Sequence, residues 1–205
     1  MDFIKNINDS IEYANSGQTK LNDKAISMQG MSSPKIRNFL NKMVSYPGVS
    51  YLEIGVWKGS TFYSALYGNN PEYALAIDNF SVFDGDEPTF KKNMSDVNTD
   101  FSFINSHSFD IKNKPKKKFN IYFYDGDHSV EGQKLALTYY QDMLMDEYVY
   151  ICDDWNWDKV KRGTMEGIQE NKLKIIQEWT LPANFNGDMV NWWNGLWVAV
   201  LKKRT

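Results

Sequence analysis

The sequence of 205 residues predicts an α/β fold in which helices cover a mostly parallel β-sheet. From about residue 50 onward, short β-rich runs alternate with helix-like stretches, the pattern of a parallel sheet with covering helices. Several runs are apolar on both faces, as strands buried between two helical layers should be. The chain length suits one domain, so residues 1–205 are predicted to form a single domain with residues 1–48 as an N-terminal helical extension.

A helix is predicted ahead of the first strand. Ser32 and Ser33 offer an N-cap, Pro34 falls in the first turn, and the amphipathic run KIRNFLNKMV follows. The β-rich runs then predict strands at residues 50–56, 73–79, 101–105, 119–124 and 147–152. Helices are predicted at residues 60–67, 88–97, 130–145 and 158–171. The third of these has Leu135, Leu137, Tyr140 and Leu144 at near-helical spacing. Residues 108–118 contain a proline and a lysine cluster, which predict an irregular crossover instead of a helix.

The C-terminal part carries two further β-rich runs, KIIQEWTLP and GLWVAVLKK, joined by NFNGDMVNWWN. Parallel neighbours need a crossover of about a dozen or more residues that is usually helical, and no helix pattern lies between these runs. They are therefore predicted to pair as antiparallel neighbours.

The composition, with 42% hydrophobic and 24% charged residues, is that of an ordinary globular protein. A net charge of −3 gives no general attraction to nucleic acid. No apolar run approaches the roughly 20 residues that span a bilayer, and the opening MDFIKNINDS lacks the apolar core of a signal peptide. We therefore predict a cytoplasmic protein without a membrane or nucleic-acid partner. The only cysteine, Cys152, lies in an apolar run and is interpreted as a buried thiol.

A candidate ligand-binding motif follows the first strand. The segment YLEIGVWKGST places Gly55 and Gly59 at the exit of a buried strand, directly before a helix, where glycines allow a tight turn and close approach of a ligand. Asp78 ends the next strand about 20 residues further on, where a carboxylate can accept both hydroxyls of a ribose. The alternatives are an ordinary strand-to-helix turn and a capping role for Asp78.

The segments EIGVWKGST, AIDNF and YDGDHSVEGQKLAL, followed by YICDDW, resemble class I S-adenosylmethionine (SAM)-dependent methyltransferases. They are most similar to the branch with a DGDH loop that includes metal-dependent sugar O-methyltransferases. The resemblance covers most of the chain from about residue 28, and DGDHSVEG is its most specific part. It implies a Rossmann-like, doubly wound, seven-stranded sheet, mostly parallel with an antiparallel last strand.

The resemblance also implies a cofactor site. Gly55 and its neighbours would line the methionine moiety, Asp78 would hold the ribose, and serines after the third strand would contact adenine. One departure from the family pattern is Trp57, which stands where most members have glycine, so the loop must route its backbone differently or use the indole as a wall. The residues expected to contact the cofactor are Glu53, Gly55, Val56, Trp57, Gly59, Ser60, Thr61, Asp78, Ser106, Ser108 and Asp125.

Two pairs of carboxylates follow the fourth and fifth strands: Asp125 with Asp127, and Asp153 with Asp154. In the strand order that the resemblance implies, these strands are neighbours about 4.8 Å apart, so the carboxylates meet at one sheet edge. A cation most simply stabilises such a group, and oxygen ligands favour Mg²⁺ or another hard divalent cation. The resemblance assigns the metal to Asp125, Asp153 and Asp154.

A metal-bound hydroxyl has a lowered pKa and an orientation suited to in-line attack on the sulfonium methyl. Asp127, preferred, or His128 would then accept the proton. The alternative for Asp127 is that it caps the following helix together with Ser129, since DHSVE fits an N-terminal capping pattern. Four tryptophans flank this edge and either wall a substrate pocket or serve ordinary packing: Trp155, Trp157, Trp192 and Trp193.

The sequence thus predicts a SAM-dependent methyltransferase that carries out divalent-metal-assisted O-methylation of a hydroxyl on a sugar or small molecule. The expected partner is a small-molecule or glycan acceptor. One alternative is a catalytically inactive, methyltransferase-like binding module. The other is a dinucleotide-dependent oxidoreductase, which is disfavoured because GVWKG lacks the G-x-G-x-x-G spacing.

Overall fold

Seven strands form one mixed sheet in the computed structural model, which describes residues 1–204. The strands are β1 (Ser50–Ile54), β2 (Tyr73–Asp78), β3 (Ser102–Asn105), β4 (Phe119–Tyr124), β5 (Leu144–Cys152), β6 (Lys174–Leu181) and β7 (Leu196–Lys202). Their order is β3-β2-β1-β4-β5-β7-β6, and β7 runs antiparallel to both of its neighbours. The predicted Rossmann-like sheet and the antiparallel pairing of the last two β-rich runs are confirmed.

Helices lie on both faces of the sheet. They are α1 (Phe3–Asn15), α2 (Asp23–Ser27), α3 (Pro34–Val44), α4 (Ser60–Leu66), α5 (Glu87–Met94), α6 (Val130–Tyr139) and α7 (Asp158–Glu170). Tyr51 and Leu52, adjacent in β1, belong to two different hydrophobic cores because side chains alternate across a strand. One core contains residues of α1, α3, α4 and α5, and the other contains residues of α6 and α7. Strand burial on both faces explains the continuous apolar runs in the sequence.

The chain order changes direction at β1, which pairs with β2 on one side and β4 on the other. In open α/β sheets, the crevice at such a switch point, beyond the carboxyl ends of the strands, is the usual ligand-binding place. We call this the carboxyl edge. Main-chain pairing continues into its loops, because the N–H of Asp125 donates to Ile54 O at 2.9 Å and that of Asp153 donates to Tyr124 O at 3.1 Å.

The N-terminal helices are capped as the sequence predicts for α3. The Ser33 hydroxyl accepts the N–H of Ile36 at 3.3 Å, and Pro34 begins the helix. From α3, the buried Arg37 guanidinium donates to the carbonyls of residues 25, 26 and 28 and to the Ser32 hydroxyl. Burial lowers the pKa of Arg37 to about 10, so it stays charged at neutral pH. Arg37 thereby fixes residues 28–32, which we call the covering segment.

The third predicted helix is shorter than expected. Helix α6 ends at Tyr139, a 3₁₀ turn spans Gln141–Met143, and β5 already begins at Leu144. Leu144 pairs with Phe119 of β4, so the apolar residue that continued the helical spacing belongs to the sheet. The irregular crossover before β4 is confirmed, and within residues 1–204 no helix has the length and apolarity needed to cross a bilayer.

Candidate functional site

The loop between β1 and α4 is shaped by close approach to the end of β4. Gly55 has φ +85°, and a Cβ at this position would lie 1.9 Å from Asp125 O, so only glycine fits. Trp57 has φ +45°, a left-handed conformation that costs a side-chain-bearing residue about 1–2 kcal/mol and explains why glycine is common at this point of the motif. The indole Nε1 of Trp57 donates to Phe83 O at 2.9 Å, which holds the ring against the β2–α5 loop.

Asp78 organises the same loop. One of its carboxylate oxygens accepts the N–H of Trp57 at 2.7 Å, and the other accepts the N–H of Phe80 at 2.6 Å. This is the turn-capping role that the sequence left open. Each carboxylate oxygen retains further lone-pair capacity, so capping is compatible with accepting ligand hydroxyls.

Glu53 lies beneath the loop instead of facing the carboxyl edge. Its side chain is fully buried, and its two oxygens accept hydrogen bonds from Tyr51 Oη and Thr61 Oγ1. Burial raises the pKa of Glu53 from near 4.5 to about 8, against the opposing effect of those two hydrogen bonds. Its expected cofactor contact is therefore corrected: Glu53 joins β1 to the first turn of α4 and supports the loop from inside.

The raised pKa of Glu53 predicts a pH-dependent stability. The unfolded chain loses this proton near pH 4.5 and the folded chain near pH 8, so the stabilising contribution declines as pH rises through that window. Glutamine at this position cannot ionise. The free energy of unfolding of Glu53→Gln, relative to that of the parent, should therefore increase steadily from about pH 5 to pH 8. Denaturant unfolding at three pH values measures this, and a constant difference across the window would contradict it.

A small pocket opens over the loop at the carboxyl edge. Its lining residues are Met31, Ser32, Gly55, Val56, Trp57, Ser60, Thr61 and Asp125. Six of these eight were predicted from the sequence, and the two from the covering segment were not. The covering segment is close to the loop, because a Cβ on Gly30 would lie 1.9 Å from Ser60 Oγ. Gly59 faces the core, where a Cβ would lie 3.0 Å from the Phe90 ring.

The two predicted adenine-contacting serines lie in the loop after β3. The Ser106 N–H donates to Asp78 O at 3.1 Å, which places this residue beside the end of β2. Its hydroxyl donates to Asp110 O at 2.9 Å, within its own loop. The Ser108 carbonyl accepts a hydrogen bond from Tyr140 Oη. Ser106 is thus adjacent to Asp78, whereas Ser108 is held towards α6.

Beside the pocket, Asp125, His128 and Asp154 form a group that we call the Asp–His cluster. His128 Nε2 lies 2.7 Å from Asp154 Oδ2 and 3.3 Å from Asp125 Oδ1. One potential metal-ligand atom from each residue lies within 4.8 Å of the others. The Asn194 side-chain amide donates to the second oxygen of Asp154. The Trp157 ring lies edge-on to His128 with centroids 5.3 Å apart.

His128 supplies positive charge to this cluster. Burial lowers its pKa, but hydrogen bonds and charge attraction from Asp125 and Asp154 outweigh burial and raise the pKa to about 10. Burial raises the pKa of Asp125 to about 6, opposed by its bond to His128. In this structure, the positive charge of the His128 imidazolium therefore offsets the repulsion between the two carboxylates, a role that the sequence analysis gave to a metal ion.

The aspartates that converge in the structure are not the three that were predicted to bind the metal. Asp153 is buried, its Oδ1 has no hydrogen-bond partner, and it does not belong to the convergent ligand group within residues 1–204. Burial, together with the charges of Asp125 and Asp154, raises the pKa of Asp153 well above its ordinary value. The group that converges is thus Asp125, His128 and Asp154, with His128 in the position expected of Asp153.

Asp127 lies outside the cluster. Its side chain is exposed, and Oδ1 accepts the N–H of Ser129 at 2.8 Å, while Ser129 Oγ accepts the N–H of Gly132 at 3.0 Å. These are the helix-capping contacts that the sequence offered as the alternative. Asp127 therefore caps the start of α6 in this structure, and of the two candidate bases His128 is the one that faces Asp154; which of them accepts a proton stays a prediction.

The four tryptophans at this edge have different environments. Trp155 is buried and stacks on Trp197 with centroids 4.8 Å apart, and the buried Trp192 packs edge-on against Phe39 at 6.0 Å. Trp193 is partly buried and pairs through its backbone with residue 188. Trp157 contacts the Asp–His cluster through His128, whereas the contacts described for the other three are with packing or loop partners.

No protein-family profile matches the sequence, and no curated protein matches it. Solved structures do match. The SAH-bound methyltransferase from Podospora anserina (SAH, S-adenosylhomocysteine) has a TM-score of 0.63 and 12% identity, over 100% of this chain and 98% of that chain. The O-methyltransferase TomG from Streptomyces achromogenes, involved in tomaymycin synthesis and bound to SAM, has a TM-score of 0.60 and 10% identity, over 98% and 99% of the two chains.

A putative RNA methyltransferase from Pyrococcus horikoshii matches with a TM-score of 0.59 and 13% identity, over 95% of this chain and 96% of that chain. The chain has the fold of these methyltransferases. Their names point to different acceptors, RNA for one and a step of tomaymycin synthesis for another, so the fold leaves the acceptor open.

Proposed function

We propose that this protein is a SAM-dependent methyltransferase that methylates a hydroxyl on a sugar or small molecule with the assistance of a divalent cation. The observation that carries the proposal is the position of Asp125. This residue lines the pocket over the β1–α4 loop and also belongs to the Asp–His cluster. A methyl donor in the pocket and a hydroxyl at the cluster would therefore be neighbours, as group transfer requires.

The pocket residues would hold the donor. Gly55 lines the pocket together with Met31 and Ser32 of the covering segment, and Asp78 lies beside the loop with acceptor capacity for ribose hydroxyls. When bound, SAM supplies the methyl group: a C–O bond forms on the acceptor as the C–S bond breaks, and the sulfonium becomes a neutral thioether.

The residues of the cluster fit a hard divalent cation. Asp125 and Asp154 offer carboxylate oxygens, and the unpartnered Oδ1 of Asp153 is a buried acceptor directly beside Asp154 in the chain. A cation at this place would lower the pKa of a coordinated hydroxyl. If a cation offset the carboxylate charge, His128 would no longer be held protonated, and its imidazole could accept the proton of the acceptor's hydroxyl.

The first test is binding of SAH, measured by calorimetry. Asp78→Ala should weaken binding by about 1.5–3 kcal/mol, the usual contribution of hydrogen bonds to a charged group. Asp78→Asn, which keeps the shape and one acceptor oxygen, should lose less. Asp100→Ala removes an exposed carboxylate ahead of β3, at the opposite edge, and serves as the matched control.

Two outcomes would count against the proposal in different ways. A parent protein that binds neither SAM nor SAH would remove the methyltransferase function altogether. A folded Asp78→Ala variant with parental affinity would remove only the ribose assignment. A methyl-transfer assay against a panel of hydroxylated acceptors, with and without Mg²⁺, then separates an enzyme from a binding module.

A further inference from the structure

The connection between β6 and β7, residues 182–195, is an ordered loop built around one buried carboxylate. Asp188 is 1% exposed and accepts the N–H groups of Asn184 at 3.1 Å, Val190 at 3.0 Å and Asn191 at 3.0 Å. The Asn191 side-chain amide also donates to it at 2.9 Å. These bonds fix the main-chain path of what we call the β6–β7 loop.

The two Asn–Gly pairs of the sequence, Asn186–Gly187 and Asn194–Gly195, both lie in the β6–β7 loop. Asn–Gly is prone to spontaneous deamidation, because glycine has no side chain to hinder attack of its nitrogen on the preceding side-chain carbonyl. The reaction also needs water at the amide and a leaving nitrogen that is free of hydrogen bonds. The two pairs differ in both respects.

The first pair is open to this reaction. Asn186 is exposed, and its Nδ2 donates to no group within residues 1–204, so the leaving nitrogen is in water. Its Oδ1 accepts the indole N–H of Trp157 at 3.1 Å. When Gly187 N attacks Cγ, negative charge develops on this oxygen, and a donor aimed at a developing oxyanion accelerates such a step. The Trp157 indole is therefore placed to promote ring closure at residue 186.

One hydrogen bond opposes the attack. The Gly187 N–H donates to Asn194 Oδ1 at 2.8 Å, and this bond must break before the nitrogen reaches Cγ of Asn186. A neutral hydrogen bond changes an equilibrium by about tenfold or less. An oxyanion donor contributes about 10²–10³-fold in a preorganised site, so a donor weakened by water still offsets the lost bond.

The second pair is protected. Asn194 is 9% exposed, and its Nδ2 donates to Asp154, so water is excluded and the leaving nitrogen is held. Its Oδ1 has a donor as well, the Gly187 N–H, but the attacking group is bound inside the turn. The Gly195 N–H donates to Trp192 O at 2.7 Å. Deamidation at residue 194 would have to break both of these bonds in a buried place.

We propose that Asn186–Gly187 is a site of spontaneous modification in the folded protein, where deamidation places a carboxylate against the Trp157 ring beside the Asp–His cluster. In the first step, Gly187 N forms a bond to Asn186 Cγ as the bond from Cγ to Nδ2 breaks. The proton of the Gly187 N–H leaves with the NH₂ group as ammonia. Water then opens the succinimide ring at either carbonyl and gives aspartate or isoaspartate, so water is the only co-reactant.

Both products alter contacts that reach the Asp–His cluster. Aspartate at residue 186 would accept the Trp157 N–H with a charged oxygen, and this ring lies edge-on to His128. Isoaspartate adds a methylene to the main chain ahead of Gly187, whose N–H is bonded to the side chain that donates to Asp154. The inference concerns the chemistry of the loop itself and does not depend on SAM binding.

Incubation of the full chain at mildly alkaline pH, followed by peptide mass spectrometry, tests the proposal. Fragment ions separate residues 186 and 194, which share one tryptic peptide, residues 175–202. In the folded protein, residue 186 should exchange NH₂ for OH about tenfold or more faster than residue 194, which must break two bonds. In guanidinium chloride, where neither pair is held, the two rates should be similar. Residue 186 should react in the folded protein no more slowly than in the denatured chain.

Two variants assign the roles. Asn186→Gln keeps the amide but would need a larger ring, so modification at residue 186 should stop. Trp157→Phe keeps a ring beside His128 and removes the indole N–H, so modification should slow about tenfold or more. Trp179→Phe is the matched control, because it removes an indole N–H that donates to Asn8 Oδ1 at 2.9 Å, outside the loop. It should leave the rate at residue 186 unchanged.

The consequence for the cluster is measured by the indole N–H signal of Trp157 in ¹H–¹⁵N NMR spectra, identified by its loss in Trp157→Phe. This signal should shift as residue 186 is modified, because its acceptor becomes a carboxylate. Equal rates at residues 186 and 194 in the folded protein, or modification of residue 186 only in guanidinium chloride, would overturn the proposal. A parental rate in Trp157→Phe would remove the indole from it, and an unshifted indole signal would remove the link to the cluster.

Discussion

Replacing His128 by glutamine is expected to slow methyl transfer by about 10²–10⁴-fold, the usual contribution of a positioned general base, while leaving SAH affinity unchanged. The reason is the position of the ring, whose Nε2 lies 2.7 Å from Asp154 Oδ2 in the cluster beside the pocket. Glutamine retains a hydrogen-bond donor for Asp154 but cannot accept a proton near neutral pH. Single-turnover rates at saturating SAM, together with SAH calorimetry, measure the two effects.

Asp127→Asn distinguishes the two candidate bases. Because Asp127 accepts the N–H of Ser129 at the start of α6, its replacement should cost about 1 kcal/mol or less of stability and change the rate little. A slow Asp127→Asn enzyme combined with a fast His128→Gln enzyme would return the role of base to Asp127. Loss of rate in both variants with unchanged SAH affinity would indicate that the geometry of the whole DGDH loop matters more than either side chain.

Exhaustive chelation with EDTA is expected to abolish methyl transfer, and added Mg²⁺ to restore it. Without a cation, His128 bridges Asp125 Oδ1 and Asp154 Oδ2. A cation that binds these carboxylates would therefore replace the positive charge of His128. Asp125→Asn and Asp154→Asn should each remove both turnover and Mn²⁺ binding, the latter measured by electron paramagnetic resonance and by the rise in Tm that a ligand of the folded state produces. Full activity after chelation would end the metal hypothesis.

Asp153→Asn decides which residues belong to the metal site. If the buried carboxylate of Asp153 ionises to bind a cation, the amide should weaken Mn²⁺ binding as strongly as the change at Asp154. If Asp125 and Asp154 hold the cation without Asp153, Asp153→Asn should bind Mn²⁺ like the parent, because burial raises the pKa of Asp153 and disfavours its charged form. Asp100→Asn, at the opposite edge, is the control for general loss of negative charge.

The order and type of the main elements could be predicted from the sequence because they depend on local and periodic features. Doubly buried strands require continuous apolar runs, and the antiparallel end of the sheet follows from a connection without a helix. The glycine at residue 55 marks the tight turn where β1 passes the end of β4. The extent of α6 was wrong because Leu144 satisfies a helical spacing in the sequence but pairs with Phe119 in the sheet.

The sequence by itself determined the sheet, the turn at its switch point and the edge at which the carboxylates gather. Only the tertiary structure decided which of them face one another. Asp154 has φ +56°, and its turn is held by two main-chain bonds from the end of the β6–β7 loop: Trp155 N–H to Gly195 O at 3.0 Å and Asn156 N–H to Asn194 O at 2.8 Å. A left-handed residue turns its side chain away from the alternation of the preceding strand, so contacts some forty residues away in sequence separate the roles of Asp153 and Asp154.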